Sequence, residues 1–449
     1  MTVFWKLEPA LRRNLVIFFA ASLCFWGGLS GMLPVLALYV GSYSDSNQQI
    51  GWVMAAFAAG LLFFRPRMSR LIDTKGRKPA LLIGVLVIAI APLLYLFAGL
   101  LPQVTLTLPG LRWQVSSVIG LLFLIRAFHG ISVAAFATAY TAAVADMAPP
   151  QHRGELIGTM SLASPIGMAF GPALGGYLIE DSFMLAFLAM ATVGTVGTLC
   201  VLAGREPPRS VNVEDKKLAT PAAELPFNQS GKQAAAQPKE KPPLFWSLLW
   251  LPTVRIPALM LFMVGIAFGA MVTFVPLYVQ ARNWDINVGL IYTASAIASF
   301  SIRAFAGTAS DQLGRGRFIS LGMLFYCLSM WMLFLATSPN MLLLAGVLQG
   351  AGAGTTIPII AALMADRSKP HERGLMFGLC LTGFDLGIAL AGPLMGQVAD
   401  YTGSYAVVFG LAGVMTLLGL FLFVTTSSKD VSHSVRFALG SGPDVYAIK

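Results

Sequence analysis

The sequence predicts an all-α polytopic membrane protein whose twelve transmembrane helices form two six-helix bundles related as an internal repeat. Of its 449 residues, 56% are hydrophobic and only 11% are charged, whereas soluble domains carry about 25% charged residues. The mean hydropathy is +0.74. About twelve apolar runs approach the roughly 20 residues that a helix needs to cross the hydrocarbon core. We therefore expect the lipid bilayer to be part of this chain's solvent.

The twelve predicted spans divide evenly between the halves of the chain. They cover residues 14–40, 50–66, 79–101, 116–145, 155–179, 183–203, 256–280, 287–306, 316–337, 341–365, 374–398 and 404–426. The stretch between the halves is polar and rich in proline, which is typical of a flexible linker. We predict an N-terminal bundle over 1–203, a linker over 204–253, a C-terminal bundle over 254–426 and a cytoplasmic tail over 427–449.

The distribution of lysine and arginine predicts the orientation in the membrane. Alternate loops, the linker and the tail hold nearly all of these residues, and the opposite loops hold only Arg112 and Arg282. Because basic loops stay in the cytoplasm, we expect both termini and the linker there, which requires an even number of spans. The resulting prediction is a multi-pass protein of the cell membrane (plasma or inner).

The remaining composition excludes several other classes. The formal charge of +10 does not indicate nucleic-acid binding, because the basic residues stand between apolar runs rather than in a basic soluble domain. Cys24, Cys200, Cys327 and Cys380 lie in apolar runs, which disfavours a disulfide scaffold. The sequence contains no zinc-protease, serine-hydrolase or phosphate-loop motif. We expect neither enzyme activity nor a cofactor or metal, and we expect a monomer.

The two halves repeat one another at fixed spacings. Asp146 and Arg153 recur as Asp366 and Arg373, each pair at the same distance along the chain. Earlier in each half the spacing is larger, and it relates the loop 73–77 to the loop 311–315. One external insertion near residues 101–117 accounts for the difference. Two parallel halves joined by a cytoplasmic linker are typical of secondary transporters, although duplication without transport would leave the same pattern.

Short loops after spans 2 and 8 carry the same charged pattern. Their shared residues are Asp73, Gly76 and Arg77 in the first loop and Asp311, Gly314 and Arg315 in the second. The glycine permits a tight turn, and a carboxylate near the start of the next helix is favoured by the helix dipole. The arginine can pair with this aspartate or with a neighbouring helix end. We expect a gating latch, with a topology anchor as the alternative.

Span 4 carries Arg126 at bilayer depth, with His129 three residues later. A charge at the centre of a span costs roughly 2.5–3.5 kcal/mol and is rarely kept facing lipid, so Arg126 should face the bundle interior or an aqueous cavity. His129 lies on nearly the same face of the helix. Histidine can exchange protons near neutral pH, but a hydrogen-bonded packing role is the reading that we favour.

Span 5 carries small residues at regular spacing around a proline. The residues are Gly167, Gly171, Pro172, Gly175 and Gly176. Small residues four apart let two backbones approach closely, and proline removes a helix hydrogen bond and bends the segment. We expect a tight seal between helices that blocks leak during exchange.

Together these motifs resemble those of the major facilitator superfamily over nearly the whole chain, and within it the twelve-span drug:proton antiporters. The loop after span 2 resembles the pattern G-x-L-x-D-R-x-G-R-R/K, from which Ser69 and Thr74 depart. Span 5 matches the antiporter motif G-x-x-x-G-P-x-x-G-G in full, and His129 replaces the glutamine of the span 4 motif. The resemblance implies that the loop latch biases the outward-facing state and that Arg126 takes part in proton coupling.

The resemblance also implies that spans 1, 4, 7 and 10 line a central cavity. The cavity residues that we expect are Trp26, Met32, Tyr140, Phe274, Tyr278 and Gln349. An aromatic surface with methionine adapts to many shapes and suits amphipathic or hydrophobic organic substrates. These four spans hold no acidic residue away from their cytoplasmic ends. That disfavours a dedicated cation exporter, and a neutral or anionic substrate fits Arg126 better.

Span 11 carries Asp385 near its midpoint, with no basic residue nearby in sequence. Two readings remain open: a carboxylate that titrates during proton coupling, or a structural partner of an arginine such as Arg126 or Arg65. Burial raises the pKa of a carboxyl group and an arginine partner lowers it, so the sequence does not decide between these readings.

The sequence therefore predicts a secondary active transporter that works by alternating access. Export of a small organic molecule coupled to inward proton flow is the direction that we expect. The alternatives are an importer or facilitator on the same fold, and a membrane sensor without transport.

Overall fold

The computed structural model describes residues 7–107, 114–149, 152–206, 249–369 and 372–448. Twelve helices in these ranges are long and apolar enough to cross a membrane. They are α1 (Pro9–Gly41), α2 (Asn47–Lys75), α3 (Arg77–Gly99), α4 (Ser117–Met147), α5 (Glu155–Asp181), α6 (Phe183–Ala203), α7 (Arg255–Ala281), α8 (Val288–Leu313), α9 (Arg315–Phe334), α10 (Pro339–Asp366), α11 (Arg373–Thr402) and α12 (Tyr405–Thr426). The predicted number of spans is confirmed.

Two of these helices are built from two pieces. The helix α1 consists of Pro9–Gly31 and Leu33–Gly41, with Pro34 at the start of the second piece. The helix α5 begins within the piece Arg153–Ser161 and continues as Ala163–Asp181. Proline lacks a backbone N–H and its ring crowds the preceding turn, which explains the break before Pro34.

Two elements lie outside the twelve spans. The strands β1 (Thr105–Thr107) and β2 (Gln114–Ser116) pair antiparallel between α3 and α4, with Thr105 opposite Ser116. This hairpin lies in the insertion that the repeat predicts. A further helix, α13 (Val431–Ala438), lies in the tail. Most of the predicted linker, residues 207–248, lies outside the described residues, and the domain boundaries stay predictions.

The helices pack as two bundles of matching connectivity. In the first bundle, α1 packs against α5 and α6, while α4 packs against α2 and α3. In the second bundle, α7 packs against α11 and α12, while α10 packs against α8 and α9. Each pairing recurs six helices later, which confirms two six-helix pseudo-repeats.

The bundles meet mainly through α2 with α11 and α5 with α8. We call the end of the molecule that carries Pro9 and α13 the termini face, and the opposite end the far face. Near the far face, the Asp400 carboxylate of α11 accepts hydrogen bonds from the backbone N–H groups of Asn47 (2.7 Å) and Gln48 (3.0 Å). A Cβ at Gly289 of α8 would overlap the Pro172 carbonyl of α5. The far face is therefore closely packed.

Toward the termini face the bundles separate. A Cβ added at Gly158, near the start of α5, would meet no atom within 4 Å, and the same holds at Gly307 of α8 and Gly378 of α11. Leu375, near the start of α11, is exposed. The bundle contacts described above lie on the far-face side, and from this asymmetry we infer that the central region opens toward the termini face.

Candidate functional site

The loop between α2 and α3 is fixed by a glycine and an ion pair. Gly76 ends α2 at φ 102° and ψ 178°, a region that only glycine adopts readily. Arg77 begins α3, and its Nε lies 2.9 Å from Asp146 Oδ2 at the end of α4. Its backbone N–H donates to Glu206 Oε1 (2.5 Å). Of the two pairings open from the sequence, Arg77 therefore makes the one with a neighbouring helix end.

The equivalent loop between α8 and α9 binds its arginine more fully. Gly314 has φ 94°, and Arg315 forms ion pairs with Asp311 and with Asp366, the latter at 2.9 Å. Asp366 corresponds to Asp146 in the repeat. Asp73, which corresponds to Asp311, forms no ion pair or hydrogen bond with the described residues. The two latch motifs therefore share a loop conformation and differ in their ion pairs.

Arg126 and His129 lie inside the first bundle. Arg126 Nη1 lies 3.3 Å from His129 Nδ1, and the same nitrogen of His129 lies 3.2 Å from the Tyr95 hydroxyl. The Arg126 guanidinium stands 4.5 Å from the centre of the Phe57 ring. Both side chains are buried, and Arg126 Nε and His129 Nε2 have no hydrogen-bond partner among the described residues. Arg126 forms no ion pair with a described carboxylate.

Gln349 holds the same place in the second bundle that His129 holds in the first, because the two are separated by the same spacing as Asp146 and Asp366. Gln349 Nε2 donates to the Tyr326 hydroxyl (3.3 Å), and its Oε1 accepts from Ser295 of α8. Tyr95 of α3 and Tyr326 of α9 are both fully buried. A tyrosine–polar pair thus recurs in the two bundles, and sequence reasoning missed the tyrosine in each.

Asp385 pairs with an arginine of the other bundle. Its Oδ2 lies 2.7 Å from Nη2 of Arg65 on α2, and the Arg65 and Asp385 side chains are 35% and 7% exposed respectively. The partner is thus Arg65 rather than Arg126. This pair joins the bundles between the packed far face and the open termini face.

The glycine motif of α5 lies against two helices. A Cβ at Gly171 or Gly175 would overlap backbone carbonyls of α1, and one at Gly167 would lie 2.8 Å from the Leu23 carbonyl oxygen. On the other side, Gly176 and Pro172 contact the start of α8. The expected close packing of α5 is therefore present in the described structure, within one bundle and between the two.

The predicted cavity residues do not form one lining. Met32, Phe274 and Tyr278 are buried in the main hydrophobic core, and the Tyr278 hydroxyl donates to the Ala336 carbonyl (3.4 Å). The Tyr140 hydroxyl donates to the Met160 carbonyl (3.0 Å), and Trp26 is half-buried beside Phe25. Their role in substrate contact stays a prediction.

No group of three or more His, Cys, Asp or Glu side chains in the described residues could hold a metal ion. The polar groups near the centre of the structure are instead arginines, a histidine, a glutamine amide, hydroxyls and one carboxylate that is paired with an arginine. Such a site can bind and release charged or polar solutes. Two helical bundles around a central polar region that opens to one face are the architecture of one class of membrane protein, the two-bundle secondary transporters.

Sequence comparison identifies the family. The profile of the Major Facilitator Superfamily matches residues 17–308 and 285–441. The chain belongs to this superfamily, and it is a transporter rather than an enzyme.

Curated relatives of this chain are named for export. The chain is 26% identical over 432 residues to the multi-drug resistance efflux pump PmrA homolog of Lactococcus lactis, covering 91% of this chain and 92% of the relative. It is 24% identical over 368 residues to the staphylopine export protein of Staphylococcus aureus, with 80% and 82% covered.

Solved structures of the same fold include transporters of quite different solutes. The nucleoside transporter NupG matches with a TM-score of 0.70 at 14% identity, over 92% of this chain and 99% of that one. A D-xylose-proton symporter matches with a TM-score of 0.66 at 15% identity, over 92% and 98%. At these identities the likeness concerns the fold alone.

Proposed function

We propose that this chain exports small amphipathic organic molecules in exchange for protons, by alternating access of the central cavity to the two faces. The observation that carries the proposal is the Arg65–Asp385 pair, because it joins the two bundles where the packed far face gives way to the open cavity. A change of charge at this point acts directly on the contact between the moving bodies.

We assign to Asp385 the binding and release of the coupling proton. Every other carboxylate in the twelve spans lies within a few residues of a span end. Protonation of Asp385 would remove the negative charge that holds Arg65, whose side chain already reaches solvent. The freed arginine would leave the bundles without this ion pair, and loss of the proton would restore it. The carboxylate would thereby couple proton binding to bundle movement.

The proposed direction of transport is supported by the relatives and by the orientation in the membrane that the basic loops predict. The relatives named as export or efflux proteins support outward transport of organic solutes. The excess of Lys and Arg on the loops of the termini face supports a cytoplasmic location for that face. With this orientation, the present structure corresponds to the state that loads substrate from the cytoplasm.

Flux measurements in proteoliposomes with an imposed pH gradient test the proposal. We expect the wild type to accumulate an amphipathic dye against its gradient when protons flow the other way. The variant Asp385→Asn should lose this accumulation while it still exchanges dye down its gradient. Asp285→Asn, which changes an exposed loop carboxylate, is the matched control and should behave as wild type.

Two results would overturn the proposal. Accumulation of dye in the direction of proton flow would identify a symporter, which is the importer alternative. Full proton-driven accumulation by Asp385→Asn would remove the assigned role of this carboxylate.

A further inference from the structure

Arg303 is an arginine in the interior of the span α8. Neither the sequence motifs nor the proposed proton step gives this residue a role. It lies well inside the helix Val288–Leu313, and its side chain is solvent-exposed. Arginine at this depth is rarely kept against lipid. Its surroundings therefore decide whether it faces the bilayer or the cavity.

The neighbours of Arg303 show that it points inward. It lies close enough to the Tyr326 hydroxyl for the two groups to interact electrostatically. Tyr326 belongs to α9, is fully buried, and binds Gln349 of α10. A Cβ at Gly354 of α10 would overlap the Ser299 carbonyl, so this part of α8 meets α10. These neighbours place the Arg303 guanidinium on the inner side of α8, toward the central cavity rather than toward lipid.

Comparison of the two repeats shows that Arg303 lacks the carboxylate partner that its counterpart has. Arg303 corresponds to Arg65 of α2, because the two are separated by the same spacing as the two latch loops. Arg65 meets Asp385 of α11, whereas the equivalent place in α5 holds Ser164 and Pro165, neither of which is acidic. The acidic residues of α5 lie only at its ends. Among the described residues Arg303 forms no ion pair.

Arg126 adds a second positive charge without a counter-charge among the described residues. It is buried in the first bundle, and its Nε has no hydrogen-bond partner there. The Arg65–Asp385 pair is neutral as a unit, so Arg126 and Arg303 leave the described central region with excess positive charge. An unpaired charge that is buried away from water, as Arg126 is, is costly, and an anion bound in the same region offsets the positive charge of both arginines.

We infer that Arg303 is an anion-binding side chain of the substrate cavity, and that the transported molecules are amphipathic organic anions. The guanidinium presents several N–H donors in a planar fork that matches a carboxylate, sulfonate or phosphate group. This inference rests on the proposed function only in taking the bound anion to be the exported solute. An anionic lipid headgroup shares the same chemistry and is separated from a solute by the test.

Two dyes with the same xanthene ring system and opposite charge provide the probes. Fluorescein carries a carboxylate and is anionic in mildly alkaline buffer, whereas rhodamine 6G is a cation. Binding to the purified full-length protein in a neutral detergent is measured by fluorescence anisotropy. We expect fluorescein to bind and Arg303→Gln to weaken it about tenfold to a hundredfold, because a hydrogen bond to a charged group is worth about 1.5–3 kcal/mol.

Two variants separate charge from folding. Arg303→Lys keeps the charge and should retain most of the affinity for fluorescein, with the protein melting as wild type does. Arg282→Gln removes an exposed arginine that lies near Tyr278 and Trp284, away from the cavity opening, and should leave binding unchanged. A titration with phosphatidylglycerol in the same detergent tests the lipid source.

Each outcome supports or overturns the inference. Equal binding of fluorescein to wild type and Arg303→Gln, or tighter binding of rhodamine 6G than of fluorescein, overturns it. Phosphatidylglycerol that displaces fluorescein at a few equivalents and binds Arg303→Gln poorly makes the site a lipid site and overturns the solute class. If fluorescein binding depends on Arg303 but no dye is moved by a pH gradient, the anion site stands and the proposed exporter fails.

Discussion

At the scale of single residues, the glycine that ends α2 allows the loop conformation on which the Arg77–Asp146 ion pair depends. Gly76 has φ 102° and ψ 178°, and a Cβ there would lie 2.5 Å from Glu206 Oε1. The backbone conformation therefore requires glycine, whereas the Glu206 carboxylate, at the end of a flexible side chain, can shift to admit a methyl group. Arg77 follows directly and depends on this turn for its approach to Asp146.

We predict that Gly76→Ala lowers the stability of the protein by about 1–3 kcal/mol, the usual cost of such a backbone conformation in a residue with a side chain. Thermal unfolding in detergent measures the change. Gly120→Ala, in a helix with open space around the added methyl group, is the control and should not lower the melting temperature. A melting temperature for Gly76→Ala equal to that of wild type would contradict the strain argument.

The two latch arginines should respond differently to loss of a carboxylate. Asp146→Asn leaves Arg77 without an ion pair among the described residues, whereas Asp366→Asn leaves Arg315 paired with Asp311. We predict that Asp146→Asn costs about 0.5–1 kcal/mol, within the range of partly exposed ion pairs, and that Asp366→Asn costs less. Paired thermal melts at low and high salt check this, and the reverse order would contradict it.

At the scale of elements, the tail is a docked segment rather than a free extension. Phe437 of α13 lies against Gly316, Gly440 packs on the Gly314 turn, and the Ile448 N–H donates to the Asp366 carbonyl (2.9 Å). Arg367, at the end of α10, forms a two-pronged pair with Asp444 through Nε (2.7 Å) and Nη2 (2.9 Å). The tail therefore covers the second latch loop.

We predict that Asp444→Asn destabilises the tail strongly. The Arg367 side chain is only 2% exposed, and removing one partner of a buried pair costs about 3–5 kcal/mol. Asp430→Asn, on an exposed carboxylate of the same tail, is the control and should cost far less. Limited proteolysis of the tail measures the effect. Equal cleavage of Asp444→Asn and wild type would show that the tail does not depend on this pair.

The start of α13 should loosen in acid. Asp430 accepts hydrogen bonds from the backbone N–H and the ring nitrogen of His433, and these bonds lower the pKa of Asp430. Because the folded pKa lies below the unfolded one, the stabilisation is present above the unfolded pKa and is lost as the pH falls through the folded pKa. A fluorophore on the tail should report greater mobility in acid for wild type, and a weaker pH dependence for Asp430→Ala.

At the scale of the whole molecule, contacts across the bundles are concentrated at the far face and around Arg65–Asp385. The Asp400 carboxylate binds the start of α2, and the Asn47 side-chain oxygen accepts from the Tyr405 hydroxyl (2.7 Å). For the cavity to open at the far face, these bonds have to break. Their loss is offset only if the separated helices meet at the termini face.

We predict that the distance between spin labels at Gly158→Cys and Gly378→Cys, one in each bundle at the termini face, shortens when the cavity closes there. The spin labels are attached in a background without the four native cysteines, and the distance is measured by pulsed electron paramagnetic resonance. Asp400→Ala should raise the population with the short distance, because it weakens the far-face closure. If the distance between the two labels stayed the same under every pH and ligand condition, this would argue against alternating access.

Much of this architecture is readable from the sequence because lipid constrains it strongly. Backbone groups in the bilayer must bond within their own helix, so apolar length alone predicts the twelve spans. The two constant spacings between matching residues predict the repeat, and Gly76 and Gly314 occupy the turns that the loop motifs predict. Asp385 stands out because a carboxylate in mid-span requires a partner.

The sequence did not predict which side chains form ion pairs or hydrogen bonds with each other, because this depends on how helices distant in sequence are rotated against each other. Asp385 meets Arg65 rather than Arg126, and Tyr95 and Tyr326 complete polar pairs that gave no motif signal. The separation of these two tyrosines along the chain lies between the two repeat spacings, and that was the available hint. Sequence by itself determined the spans, the repeat and the loops, which follow from local hydropathy and backbone conformation. Only the tertiary structure decided which charges are paired, how the tail docks and which face is open, because these depend on contacts between separate helices.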